Sequence, residues 1–170
     1  MSSETPERPD PFKFGVVLEG QGVVPHRYKD TWERQKTGET ERLVIGAKSR
    51  QIELLLELAQ CLSGPFGMLY VLLVSRLGHE PGRYQSPEPS TFEDTETLLR
   101  AFRVFLEHDG RHHVWLISLG DQATLVYDNH NLIYAYGPLD RYIKVLKRAG
   151  LDEGETRIPA PHQHCYNAVF

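Results

Sequence analysis

The chain has 170 residues, of which 40% are hydrophobic and 25% charged, and its formal net charge is -4. That length fits one domain and that composition argues against general disorder. The mild negative charge offers neither the cationic footprint of a nucleic-acid binder nor the polybasic patch of a membrane-surface protein.

Two cysteines, Cys61 and Cys165, make no disulfide framework, so a reduced, soluble, cytoplasmic protein is expected. The opening MSSETPERPDP lacks the apolar core of a secretory signal, and its prolines among Ser, Thr and Glu predict a flexible tail over residues 1–11. A single globular domain is expected over 12–170. The longest apolar run, Met68 to Val74, is far short of the roughly 20 residues needed to span a bilayer.

In chain order, Phe12 to Leu18 reads as a first strand ended by Gly20 and Gly22. The polar stretch Pro25 to Arg42 carries Tyr28 and Trp32 among charges and is compatible with an exposed hairpin leading into Leu43-Val44-Ile45. Ser49 is placed to cap a helix whose stripe is Ile52, Leu55, Leu56, Ala59 and Leu62, widened by Leu54 and Leu58. Ser63-Gly64-Pro65 stops it. Met68 to Ser75 reads as a central strand, and Leu77 to Pro89 as a long loop.

Ser90 and Glu93 have capping-box spacing ahead of a second helix with Leu98, Leu99, Phe102, Phe105 and Leu106 on one face. From Arg111 to Tyr136 the residue types predict three strands, with turn chemistry at Leu119-Gly120-Asp121-Gln122 and at Asp128-Asn129-His130-Asn131. Ala123 to Tyr127 and Leu132 to Tyr136 are apolar at odd and even positions, the pattern of strands covered on two faces. Gly137-Pro138 opens a third helix with Leu139, Tyr142, Ile143 and Leu146 inward. Beyond Gly150, Pro159 and Pro161 restrict any strand to an edge or to residues after Pro161.

These elements predict an α+β fold: one mostly antiparallel sheet, with its meander at 111–136, and about three amphipathic helices packed against it. A mixed sheet with helices on both faces is the alternative. No strand leads through a Gly-rich loop into a helix, which disfavours a doubly wound nucleotide-binding fold.

Histidines are the chemically suggestive residues. His162 and His164, two apart on an extended chain, project from one face, so both are able to approach one Zn2+ or similar ion. The third ligand would come from His112, His113 or His130, with Cys165 or Tyr166 nearby; His130 is the candidate taken forward. His112 and His113 point to opposite faces, so at most one joins a given site. Asp128 beside His130 reads either as the carboxylate that orients a general base or as a group satisfying the turn backbone. Cys165 next to His164 invites a nucleophile reading, ranked below the metal site.

Trp32, Arg83 and Tyr84, on polar and aromatic-bearing segments, are the candidate contact residues for a protein partner, with Arg76 and His79 beside them. The first functional expectation is therefore a non-enzymatic protein-binding or inhibitory domain with no cofactor, in the general manner of toxin-neutralising immunity proteins, a comparison of size and composition alone. The alternative is a metal-dependent hydrolase with Zn at a histidine site near the C-terminus. No nucleic-acid or membrane partner is expected.

Overall fold

A computed structural model describes residues 11–167. The tail expected at residues 1–11 thus lies, apart from Pro11, outside the described residues. In order the elements are β1 (Phe14–Leu18), β2 (Gly22–Pro25), β3 (Thr31–Thr37), β4 (Thr40–Gly46), α1 (Gln51–Gln60), β5 (Phe66–Leu72), β6 (Gly82–Gln85), α2 (Phe92–Ala101) and α3 (Arg103–His108). Then come β7 (His112–Ser118), β8 (Ala123–Tyr127), β9 (Leu132–Tyr136), α4 (Leu139–Arg148), β10 (Asp152–Glu153) and β11 (His162–His164).

The meander forms the middle of an eight-stranded sheet of order β10-β3-β4-β9-β8-β7-β5-β6, antiparallel throughout except at the short β10–β3 pair. The expectation of one sheet and about three helices needs correcting in its detail. Among the described residues there are four helices, and a second, three-stranded antiparallel sheet of order β11-β1-β2.

Strand alternation divides the core in two. Leu43, Ile45, Leu116, Leu125, Ile133 and Ala135 face the helices and pack with Ile52, Leu55, Leu58, Leu99, Tyr142 and Leu146. Val44 and Leu132 point the other way and pack with Phe14 and Tyr28 at the small sheet. Strand β9 is thus buried on both faces, and its residues are apolar without alternation for that reason. Each fully buried leucine of α1 contributes about 1.5–3 kcal/mol relative to an exposed one.

Several local expectations are corrected. Arg50, in the left-handed region at φ 60°, occupies the position before α1 that Ser49 was expected to cap, and the Ile52 amide donates instead to Glu107 Oε1 at 2.9 Å. Thr91, not Ser90, caps α2, its hydroxyl accepting from the Asp94 amide at 3.1 Å. The expected second helix breaks at Phe102 into α2 and α3. The Leu77 to Pro89 loop contains β6, paired with β5 from Leu69↔Gln85 to Leu72↔Gly82.

Trp32 is the largest departure. It lies opposite Ile45 on the helix-facing side of β3 and is only 2% exposed, so the charged residues around it in sequence do not bring it to the surface. A side chain buried in the core offers no contact to a partner.

Two buried basic groups carry a pH signature. His112 is fully buried, stacked between Tyr70 and Phe105, and burial pushes its pKa down to about 2. Lys13 is buried beside Tyr127 and donates to the Asp128 carbonyl at 2.8 Å; burial lowers it to about 7, against the opposing pull of Asp128, Asp109 and Glu107. In both cases the unfolded chain binds the proton more readily, so stability rises with pH between the folded and unfolded pKa values and is lost as pH falls. Denaturant titrations from acid to alkaline pH should therefore show His112→Phe flattening only the limb below pH ~6.5 and Lys13→Met only the limb above pH ~7. Each change in slope is on the order of 1 kcal/mol per pH unit; slopes unchanged in the variants would contradict the assignment.

Candidate metal centre

The small sheet is where the two ends of the described chain meet. Strand β1 lies between β2 and β11, with Phe14 opposite His164 and Val16 opposite His162. Alternation then puts Phe14, Val16, His162 and His164 on one face. Gly15 makes the close β1–β2 approach feasible, because a Cβ there would collide with the Val24 carbonyl.

That face meets the β8–β9 turn of the large sheet. Asn131 adopts φ 61°, as a tight turn requires, and Asp128 ties the turn together. Its Oδ1 accepts from the amides of His130 (2.8 Å) and Leu132 (2.9 Å), while Oδ2 lies 2.9 Å from His130 Nδ1. Asp128 therefore serves the turn backbone and orients the imidazole together, joining two readings the sequence presented as alternatives. The Tyr28 hydroxyl donates to the His130 carbonyl at 3.0 Å.

The result is three imidazoles in contact. His130, His162 and His164 each present a ligand atom, all within 4.8 Å of one another, and the ring centroids are 4.7 to 5.5 Å apart. Phe14 forms the floor, its ring centroid 5.7 Å from that of His130 and 6.2 Å from those of His162 and His164. His162 Nδ1 bonds the Pro159 carbonyl at 2.8 Å. With Nδ1 of His130 and of His162 so engaged, Nε2 of each is the nitrogen left for an ion. His164 Nδ1 is buried and has no hydrogen-bond partner. Burial, then the neighbouring His130 and His162, lowers the pKa of His164 and favours the neutral ring that metal ligation requires.

An outer layer stands behind these rings. His113 Nε2 donates to Asn129 Oδ1 at 3.0 Å, and Asn129 Nδ2 donates to His164 Nε2 at 3.2 Å. His113 thus reaches the cluster only through Asn129, and His112 lies on the opposite, helix-facing side of β7. His26, whose Nε2 is buried without a partner, packs 5.3 Å from Phe14 and 4.7 Å from Tyr28. Sequence reasoning missed Phe14, Asn129 and His26. The hairpin signal around Gly20 and Gly22 would have placed His26 beside Phe14, but nothing local marks the approach of β11.

The chain matches no known protein family, curated protein or solved structure. Its chemistry rests on geometry alone.

The remaining candidates lie elsewhere. Arg83 and Tyr84 are exposed on β6, at the far edge of the large sheet, four strands from β9. They point to opposite faces: Arg83 sits 5.9 Å from the Trp115 ring, and the Tyr84 hydroxyl donates to the Glu80 carbonyl. Cys61 and Cys165 are both free, and burial pushes both thiols up, the reverse of what a nucleophile needs.

Asp128→Ala should leave the buried Leu132 amide and the half-buried His130 amide without their acceptor, at a cost of about 1–3 kcal/mol for the buried one and less for the other. Asp128→Asn, which keeps one carbonyl oxygen, should cost less. Urea denaturation of the two variants checks the order, and equal stability would show that the carboxylate does not hold the turn.

Proposed function

We propose that the protein holds one divalent transition ion of the Zn2+ class on His130, His162 and His164, and that it is a metal-dependent hydrolase acting through water on that ion. The observation that carries the reading is the convergence of three imidazoles from two separate elements, two of them already fixed at Nδ1 by the Asp128 carboxylate and the Pro159 carbonyl. Metal-binding histidines characteristically donate their second nitrogen in this way, which fixes tautomer and ring orientation.

Three imidazoles suit a borderline ion and leave a fourth tetrahedral position for water, whose pKa such an ion lowers to about 7. Bonds of 2.0–2.1 Å in that geometry put nitrogens about 3.4 Å apart, so the rings close inward as the ion binds. Ligation through His164 Nδ1 moves that ring's proton to Nε2. The Asn129 amide then turns over to accept it, and His113 changes from donor to acceptor.

Protein purified without an affinity tag, stripped with chelator and titrated with ZnSO4 by calorimetry should bind one equivalent. Any one of His130→Ala, His162→Ala or His164→Ala should abolish that stoichiometry, and Asp128→Asn should weaken it about 10–100-fold. Affinity should fall in acid, where protons compete with the ion for imidazole nitrogen. Ester or phosphoester hydrolysis, if metal-dependent, should disappear in the same variants and return on adding Zn2+ to the stripped wild type. Zinc uptake that survives loss of all three histidines would overturn the site.

A second reading, a protein-binding or inhibitory domain, is favoured by a different surface. Leu69, Val71, Trp115 and Ile117 share the face of the large sheet turned away from the helices, belong to neither packed core and are half-buried, with Arg83 beside Trp115. Aromatic and arginine side chains so exposed are those enriched at protein interfaces. Partner capture from the source cells should be lost in Trp115→Ala and Arg83→Ala but kept in His162→Ala. Capture indifferent to Trp115 and Arg83 would reject this surface.

A further inference from the structure

Several segments far apart in sequence enclose a polar hollow beside the small sheet. The residue before β1, the link from β2 to β3, the link from β4 to α1, helix α3 and the β8–β9 turn contribute Lys13, Arg27, Lys48, Arg50, Glu107 and Asn131 to a cavity of about 190 Å3. Phe14 borders this cavity as well as the histidine cluster, but His130, His162 and His164 do not line it.

Its lining is cationic, with two lysines and two arginines against one carboxylate, Glu107. Three of these five charges already have partners. Glu107 Oε1 accepts from the Ile52 amide at 2.9 Å, the Lys13 ammonium donates to the Asp128 carbonyl at 2.8 Å, and Arg50 reaches Glu57 at 3.5 Å. Arg27 and Lys48 differ: among the described residues neither side chain has an ion pair, a hydrogen bond or an aromatic ring against it. The Lys48 amide donates to Asp30 Oδ1 at 2.7 Å, so its backbone is held while its ammonium stays unpaired. His26 also lines the cavity, and its buried Nε2 has no hydrogen-bond partner, an uncommon state for a ring nitrogen.

From this arrangement we infer that the cavity binds the phosphate group of a small phosphomonoester, with Arg27 and Lys48 as its ligands. Two unpaired cations match a group that carries close to two negative charges near neutral pH. The guanidinium fork of Arg27 suits two phosphate oxygens at once, and Lys48 adds a point charge from a different segment. A carboxylate, with a single charge, leaves one of the two cations unmatched. Size sets the other limit. A cavity of about 190 Å3 exceeds what bare phosphate fills, yet lies below the roughly 300–1,000 Å3 of pockets for drug-sized ligands. Phosphate on a short alcohol fits those bounds. The site is distinct from the histidine cluster and does not depend on an ion there.

Glycerol 3-phosphate titrated at low salt into the full chain stripped of metal, so that phosphate on zinc is not read, should bind one to one by calorimetry. Amide NMR should show shifts around Arg27 and Lys48. Arg27→Gln and, separately, Lys48→Gln should each weaken binding by about tenfold or more, the worth of a hydrogen bond to a charged group. Their circular dichroism spectra should be unchanged, since both residues are exposed. Lys147→Gln, exposed on α4, should leave binding as it is. Absence of saturable binding, or binding undiminished in the Arg27→Gln, Lys48→Gln double variant, would overturn the site. Equal weakening by Lys147→Gln would replace it with general charge attraction. Acetate binding as tightly would reject the doubly charged ligand, and inorganic phosphate binding with glycerol 3-phosphate excluded would reject the ester as the occupant.

Discussion

The carboxylate of Asp128 is the constraint on which the candidate centre depends. Four residues must reverse the chain between β8 and β9, in a turn that is half-buried at Asn129, His130 and Asn131 and buried at Asp128, with the Leu132 amide buried behind it. Asp128 accepts from the His130 and Leu132 amides and from the ring of His130, while its own carbonyl receives Lys13. An unsatisfied buried amide is costly, so the carboxylate has to stay where it is. Holding His130 in one orientation is then a by-product of folding the turn.

The same residue fixes the small sheet against the large one. Lys13 precedes β1 by one position, so its bond to Asp128 sets where Phe14 lands, and Phe14 pairs with His164. The C-terminal strand is also tied in by backbone bonds, Cys165 amide to Lys13 carbonyl at 2.8 Å and Gly110 amide to Cys165 carbonyl at 3.0 Å. Three segments far apart in sequence are thereby locked at one point. Catalytic metal sites need this rigidity, because ligand atoms displaced by an ångström lose the ion or its geometry. Among the described residues no helix is long and apolar enough to cross a membrane.

Legibility in the sequence followed the range of the interactions. The meander was readable because strand residues and turn residues alternate within 26 positions, Arg111 to Tyr136. The stripes of α1 and α4 were readable because a helix repeats its burial every three or four residues. The shared face of His162 and His164 was readable for the analogous reason in a strand. What was not readable is pairing between Phe14 and His164, since no local pattern encodes a partner 150 positions away. Without it, His112, His113 and His130 looked equivalent as a third ligand. Trp32 misled because its neighbours in sequence are charged, whereas the core it packs into on the helix-facing side, with Ile45 opposite, is apolar. The stripe of α2 and α3 misled in the other direction: periodicity promised a buried face, and the break at Phe102 left part of it open.

The most direct measurement is X-ray absorption at the zinc edge on the zinc-loaded, untagged protein. The account predicts a first shell of three imidazole nitrogens and one oxygen at about 2.0–2.1 Å, with the outer-ring scattering of histidine. A shell of oxygens alone, or a sulfur at about 2.3 Å from a cysteine, would contradict it.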